Sequence, residues 1–131
     1  MKKIFLFLTL VLAISGNLFS QLVNYDTYFL DKSLRVDFSH AGNFNEEDYY
    51  LEQLKSEPYF SGPKSNLIEP FIYGEYRVMV YAMDGTLIFT RGFTTLFQEW
   101  RTTEEAKTLS RSYYESIQIP YPKDSIRFEI H

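Results

Sequence analysis

Two histidines, His40 and His131, and no cysteine are all the imidazole and thiol chemistry this sequence holds. His40 ends an alternating run and His131 is the last residue. There is no H-E-x-x-H and no pair of histidines at helical spacing, so a catalytic zinc site of the usual kind has no ligands. G-x-S-x-G and a phosphate loop are also missing. A triad of His40 with an Asp and a Ser has the residue types, but nothing in the local sequence builds a nucleophile elbow or an oxyanion hole. Asn43-Phe44-Asn45-Glu46-Glu47-Asp48 gathers the oxygen ligands a hard cation takes, yet lacks the glycine of the common calcium loop, and a solvated acidic loop is the plainer reading. No catalytic residue, metal or cofactor is therefore expected. The remaining stretch is 91–107, which carries the only tryptophan. Trp100, Glu99 and Arg101 are the candidate binding residues. They could form an exposed platform. Alternatively, Trp100 is buried against the preceding hairpin and Arg91 pairs Glu99 or Glu104, the common fate of a lone Trp in a small domain.

The elements that must position these residues read mostly as strands. Asn24 to Asp31 is a lead-in whose Tyr25, Tyr28 and Phe29 tuck the mature N-terminus against the body. From Ser33 to His40 the chain alternates, with Leu34, Val36 and Phe38 facing a core and Arg35, Asp37 and Ser39 facing water. Residues 45–57 are ambiguous: Asn45 could cap a helix, while Tyr49, Leu51 and Gln53 share a face if the run is extended. It is assigned as an edge strand, ended by Pro58. A loop follows from Ser61 to Asn66. Glu75 to Met83 is the strongest strand signal, with Tyr76, Val78, Val80 and Ala82 on one face. Its other face, Arg77, Met79, Tyr81 and Met83, is either core under a covering helix or a docking face. Asp84-Gly85 then makes a hairpin turn, and 86–91 returns. Thr102 to Leu109 reads as a short helix, with Thr102 and Glu105 at capping-box spacing and Thr103 a rival cap. Residues 113–119 and 125–131 are strands, and Pro120-Tyr121-Pro122 is a stiff turn between them. Strands separated by short turns point to a mainly β fold, an antiparallel β-sandwich with one short helix.

Residues 1–20 stand apart. Met1-Lys2-Lys3 is basic, Ile4 to Ile14 is apolar apart from Thr9, and small or polar residues follow. This is the order of a secretory signal peptide, and the apolar run is too short to span a bilayer comfortably. Residues 21–131, about 110 in number, are then one domain of ordinary size. The chain is expected to be exported, periplasmic or secreted, with no stable membrane insertion after leader cleavage. Without cysteines its stability must come from packing and strand pairing. Of 131 residues, 13 are Lys or Arg and 17 are Asp or Glu, and losing Lys2 and Lys3 makes the domain more acidic still. Such a surface is a poor fit to phosphate backbones, so nucleic acid is not an expected partner. The 11 tyrosines and 12 phenylalanines suit strands and a core, and can also stack on sugars.

Arg91-Gly92-Phe93, followed by Phe97-Gln98-Glu99-Trp100-Arg101-Thr102-Thr103-Glu104-Glu105-Ala106-Lys107, resembles the N-terminal domain of the bacterial IgA peptidases, metallopeptidase family 64. The likeness continues through Tyr113-Tyr114-Glu115-Ser116-Ile117-Gln118-Ile119-Pro120-Tyr121-Pro122-Lys123. It reaches back to Leu34-Arg35-Val36-Asp37-Phe38, His40 and Ser65-Asn66-Leu67-Ile68. The resemblance implies export from Bacteroides-like bacteria, a β-sandwich N-terminal domain ending near His131, and a following zinc peptidase domain that carries H-E-x-x-H. None of those catalytic residues maps onto this sequence. What is implied is a non-catalytic accessory domain whose partner is a peptidase catalytic domain, in cis or as a separate chain, or a protein substrate. The alternative is a free-standing secreted module binding glycan or protein, with the surplus tyrosines and Trp100 as its stacking surface.

Overall fold

The computed structural model describes residues 22–71 and 73–131, so the signal peptide expected over 1–20 lies outside the described residues. Asn24 caps a single helical turn, α1 (Tyr25–Tyr28), by accepting from the Thr27 amide. This turn buries Tyr25, and Phe29 follows into the core, so the lead-in packs as its aromatics suggest. Six strands follow: β1 (Phe29–Gly42), β2 (Glu47–Glu57), β3 (Tyr76–Ala82), β4 (Leu87–Phe93), β5 (Arg111–Pro122) and β6 (Ile126–Ile130). They form two antiparallel three-stranded sheets, ordered β2-β1-β5 and β4-β3-β6.

Both sheets feed one apolar core. Phe29, Phe38, Ile117 and Ile119 come from the first sheet, and Val78, Val80, Ile88 and Phe89 from the second. Alternation explains this directly: Val78 and Val80 are fully buried, as the β3 pattern requires. Phe60 and Leu67, from the connection between β2 and β3, complete the cluster. The Leu67 carbonyl accepts from the Thr90 amide at 2.9 Å, so that connection runs along β4 and buries both of its faces. On the second face of β3, Arg77 and Met79 are half-buried, and Arg77 reaches the Glu69 carbonyl in this connection rather than a helix. Gly92 admits no side chain, because a Cβ there would lie 1.8 Å from the Tyr73 carbonyl oxygen.

The structure corrects four expectations. The helix is not 102–109. It is α2 (Leu96–Arg101), capped by Thr95, whose side chain accepts from the Gln98 amide; Thr102 is its C-cap, and only a 3-10 turn at Glu105–Lys107 follows. Thr95-x-x-Gln98 has the same capping-box spacing as Thr102-x-x-Glu105, and burial decides between them, since α2 covers Phe97 and Trp100. Among the described residues there are thus two short helices, α1 and α2, where one was expected. Pro120 and Pro122 are not a turn: they lie in β5, opposite Ser33 and Phe29. As β5 is an end strand, a missing N–H can face away from the ladder. Finally, Asp37 points away from the core as expected but is fully buried, beneath Arg35 (Nε–Oδ1 2.9 Å) and Gln53 (Nε2–Oδ2 2.7 Å).

Candidate functional site

Strand register gathers an unusual set of side chains at one end of the core. His40 shares the inward face of β1 with Leu34, Val36 and Phe38. Tyr49 on β2 and Tyr113 on β5 both lie opposite His40, and Glu115 lies opposite Phe38. Glu47 is two residues before Tyr49 and so takes the same face. Tyr76 enters from the start of β3, and α2 is laid across this end, bringing Phe97, Gln98, Trp100 and Arg101.

The hydrogen bonds converge on Glu47. Its Oε1 lies 2.8 Å from His40 Nε2 and accepts from the Tyr49 hydroxyl at 2.8 Å, while Oε2 accepts from Arg101 Nη1 at 2.5 Å. Tyr76 donates to Gln98 Oε1 at 3.0 Å. Burial alone would raise the Glu47 carboxyl, but the polar groups around it, the nearby Tyr76 together with the hydrogen-bonded Tyr49, His40 and Arg101, outweigh it and hold the group at about 2. The tyrosines move the other way: burial and the neighbouring carboxylate push Tyr76 up to about 12 and raise Tyr49 as well. Burial lowers His40 against the opposing pull of Glu47, so the imidazole is neutral and its Nε2–H donates to the carboxylate. Its Nδ1 has no hydrogen-bond partner and faces Glu115 Oε1 across 4.0 Å. Glu115 is raised by burial, partly offset by the Phe97 amide, which donates to Oε1 at 3.3 Å.

An imidazole between two carboxylates has the makings of a proton relay. The surroundings deny it a substrate. Tyr49 stacks on one side of the ring at 4.4 Å, Phe97 lies 4.1 Å away and Tyr76 meets it edge-on at 5.3 Å, leaving His40 with no exposed surface. A general base must come within hydrogen-bond reach of the proton it takes. What the cluster does is hold α2 in place: Arg101 also donates to the Phe44 carbonyl at 3.3 Å, tying the helix to the β1–β2 turn.

The sequence-derived candidates fall in three different settings. Trp100 is 9% exposed, packs on Phe97, Ala106 and Tyr113, and donates its indole N–H to Glu105 Oε2 at 2.7 Å. It therefore rests on β5 rather than on the hairpin. Arg91 has no ion-pair partner among the described residues; the charged group near the indole is Arg111, which also pairs Glu105 at 2.7 Å. Arg101 joins the buried cluster, while Glu99 is exposed on the opposite face of α2. The acidic run 43–48 folds on itself, with Asn43 Oδ1 accepting from the Asn45 and Glu46 amides. Among the described residues no three His, Asp or Glu side chains converge as a metal would require, and no helix is long and apolar enough to cross a membrane.

Sequence reasoning missed Glu47 and Glu115 as partners of His40. Parity was the available signal: His40 continues the inward face of 34, 36 and 38, and Glu115 that of Ile117 and Ile119, so each is a polar group at a core position. Residues 24–131 match the family model described as Peptidase M64 N-terminus. No curated protein matches the chain.

Proposed function

The chain belongs to the peptidase M64 N-terminal family, and on that premise we propose that it is an exported, non-catalytic accessory domain that packs on or positions a zinc peptidase domain and assists engagement of a protein substrate. The observation that carries this reading is the match itself, which spans 24–131 and concerns the N-terminal part of a peptidase family. The geometry is in keeping with it. The His40 constellation, whose residue types suit acid–base chemistry, is sealed by aromatic rings and used to fix a helix. Export, to the periplasm or outside the cell, is supported by the basic, apolar and small-residue order of residues 1–20. Mixing the chain with the zinc peptidase domain of a family member tests the reading. Complex formation with a changed KM for a protein substrate is the expected result; no association and no change in cleavage would overturn it.

A second reading, a free-standing glycan-binding module, is favoured by one feature. Tyr50 and Tyr114 both lie opposite Ser39 on the outer face of the first sheet, 56% and 61% exposed. Two rings flanking one strand offer a flat stacking surface. Trp100 contributes little to it because its ring is covered. Binding on a glycan array, lost in a folded Tyr50→Ala/Tyr114→Ala variant, would favour this module.

A further inference from the structure

The inward face of β2 is uncovered. Tyr49, Leu51 and Leu54 lie opposite His40, Phe38 and Val36, so strand register turns them toward the core side of the sheet. They are nevertheless 38%, 66% and 59% exposed. The reason is a mismatch of lengths: β2 has eleven residues, whereas β6, the end strand of the other sheet on this side, has five. Between them lies a groove of about 300 Å³ lined by Val36, Phe38, Tyr49, Leu51, Phe128 and Ile130. Its walls are apolar, and one of them ends in a free backbone edge, since β6 pairs only with β3 among the described residues.

The geometry points to this groove as the docking site for an extended segment of the peptidase domain, added as a strand to β6 with alternate apolar side chains turned into the groove. This rests on the accessory-domain reading above and deepens it by naming the surface. Three observations select the occupant. An apolar slot beside an unpaired strand edge suits an extended chain, whose backbone pairs with the edge while every second side chain fills the slot. The β2 edge is itself poorly suited to pairing: the register slips between Asp37 and Phe38, leaving Glu52 bulged, and bulges with charges blunt an edge. The incoming strand therefore belongs to β6. A peptidase domain joined after His131 would begin at the rim of this groove, because His131 is held to Arg77 by a reciprocal pair of backbone bonds at 2.7 and 2.9 Å.

The test titrates the zinc peptidase domain of a family member into the full chain and into two variants. Leu51→Lys places a charge in the groove at an exposed position the fold tolerates; Tyr50→Lys places the same charge on the other face of the same strand. The expected result is affinity at least tenfold weaker for Leu51→Lys, unchanged affinity for Tyr50→Lys, and slowed hydrogen exchange at β6 amides in the wild-type complex. Wild-type binding that Leu51→Lys leaves intact, or that protects no β6 amide, would overturn the groove and leave the accessory role standing. If the wild-type chain does not bind at all, both fall together.

Discussion

Among the described residues, two buried clusters are built on different physics. The larger, between the sheets, is apolar throughout, and Phe29, Val78, Val80 and Ile119 have almost no exposed surface. The smaller, under α2, sets Phe97, Trp100 and Ala106 against a neutral imidazole, a carboxylate held ionised and a carboxyl pushed toward neutrality. Apolar burial is non-directional and indifferent to pH. A buried ion pair requires its geometry, and replacing one with apolar groups of similar volume is often neutral or stabilising. The lesson is that the inter-sheet core supplies stability, while the cluster under α2 fixes where a six-residue helix sits, a helix too short to hold itself.

Truncation should separate the two most sharply. Phe97→Ala removes a fully buried ring and is expected to cost about 3–5 kcal/mol in urea unfolding. It also opens one side of His40 to water, so the imidazole should then titrate nearer its usual value by NMR. Ile119→Ala should cost about 2–4 kcal/mol and leave that titration unchanged. Equal histidine shifts in the two variants would break the distinction.

A smaller effect is expected from Glu47→Gln, about 1–3 kcal/mol at neutral pH, because Arg101 loses its ionised partner in a partly buried site. Here the sign with pH is definite. The Glu47 carboxyl is lowered from 4.5 to about 2, so its contribution is present above the unfolded value and is lost as pH falls through that window. The stability difference between wild type and variant should therefore close between pH 4.5 and 2. His40 is also lowered, so both proteins should lose stability as pH falls below 6.5. A difference that stays constant down to pH 2 would show that Glu47 acts through packing alone.

The smallest change separates the two carboxylates. Glu115 is raised by burial, so its ionisation opposes folding above its unfolded value and ceases to matter as pH falls below it. Glu115→Gln keeps an oxygen for the Phe97 amide and removes the charge. It is expected to stabilise by under about 1 kcal/mol at pH 7, with the gain fading as pH falls toward 4.5 and gone below it, as followed by thermal melts. Destabilisation at pH 7 would mean that the charge is needed, and the pairing with His40 would have to be redrawn.

Much of the larger core was legible from the chain. Runs such as Leu34–Phe38 and Tyr76–Ala82 alternate because one face of a strand is buried, and that regularity survives any tertiary detail. Residues 47–57 were harder, since a strand whose inward residues remain exposed gives no strong alternation of burial for the sequence to record. The smaller cluster was hidden for a different reason. His40, Glu47, Arg101 and Glu115 come from four separate elements, and nothing local says they meet. The helix was misplaced because Thr95 and Thr102 offer equivalent caps and only packing chooses between them.

The register of β1 carries a consequence for how the chain reaches this state. Phe29 lies opposite Pro122, and Gly42 opposite Arg111, so the central strand of one sheet takes its second partner from near the other end of the chain. The β3–β4 hairpin, closed around Asp84-Gly85, needs only local contacts and can form early. The first sheet cannot close until nearly all of the domain is available to it, and such long-range pairing is the slow kind. Until β5 arrives, β1 has one open edge along its whole length. A chain halted before residue 111 would thus keep that edge exposed, with self-association as its characteristic failure.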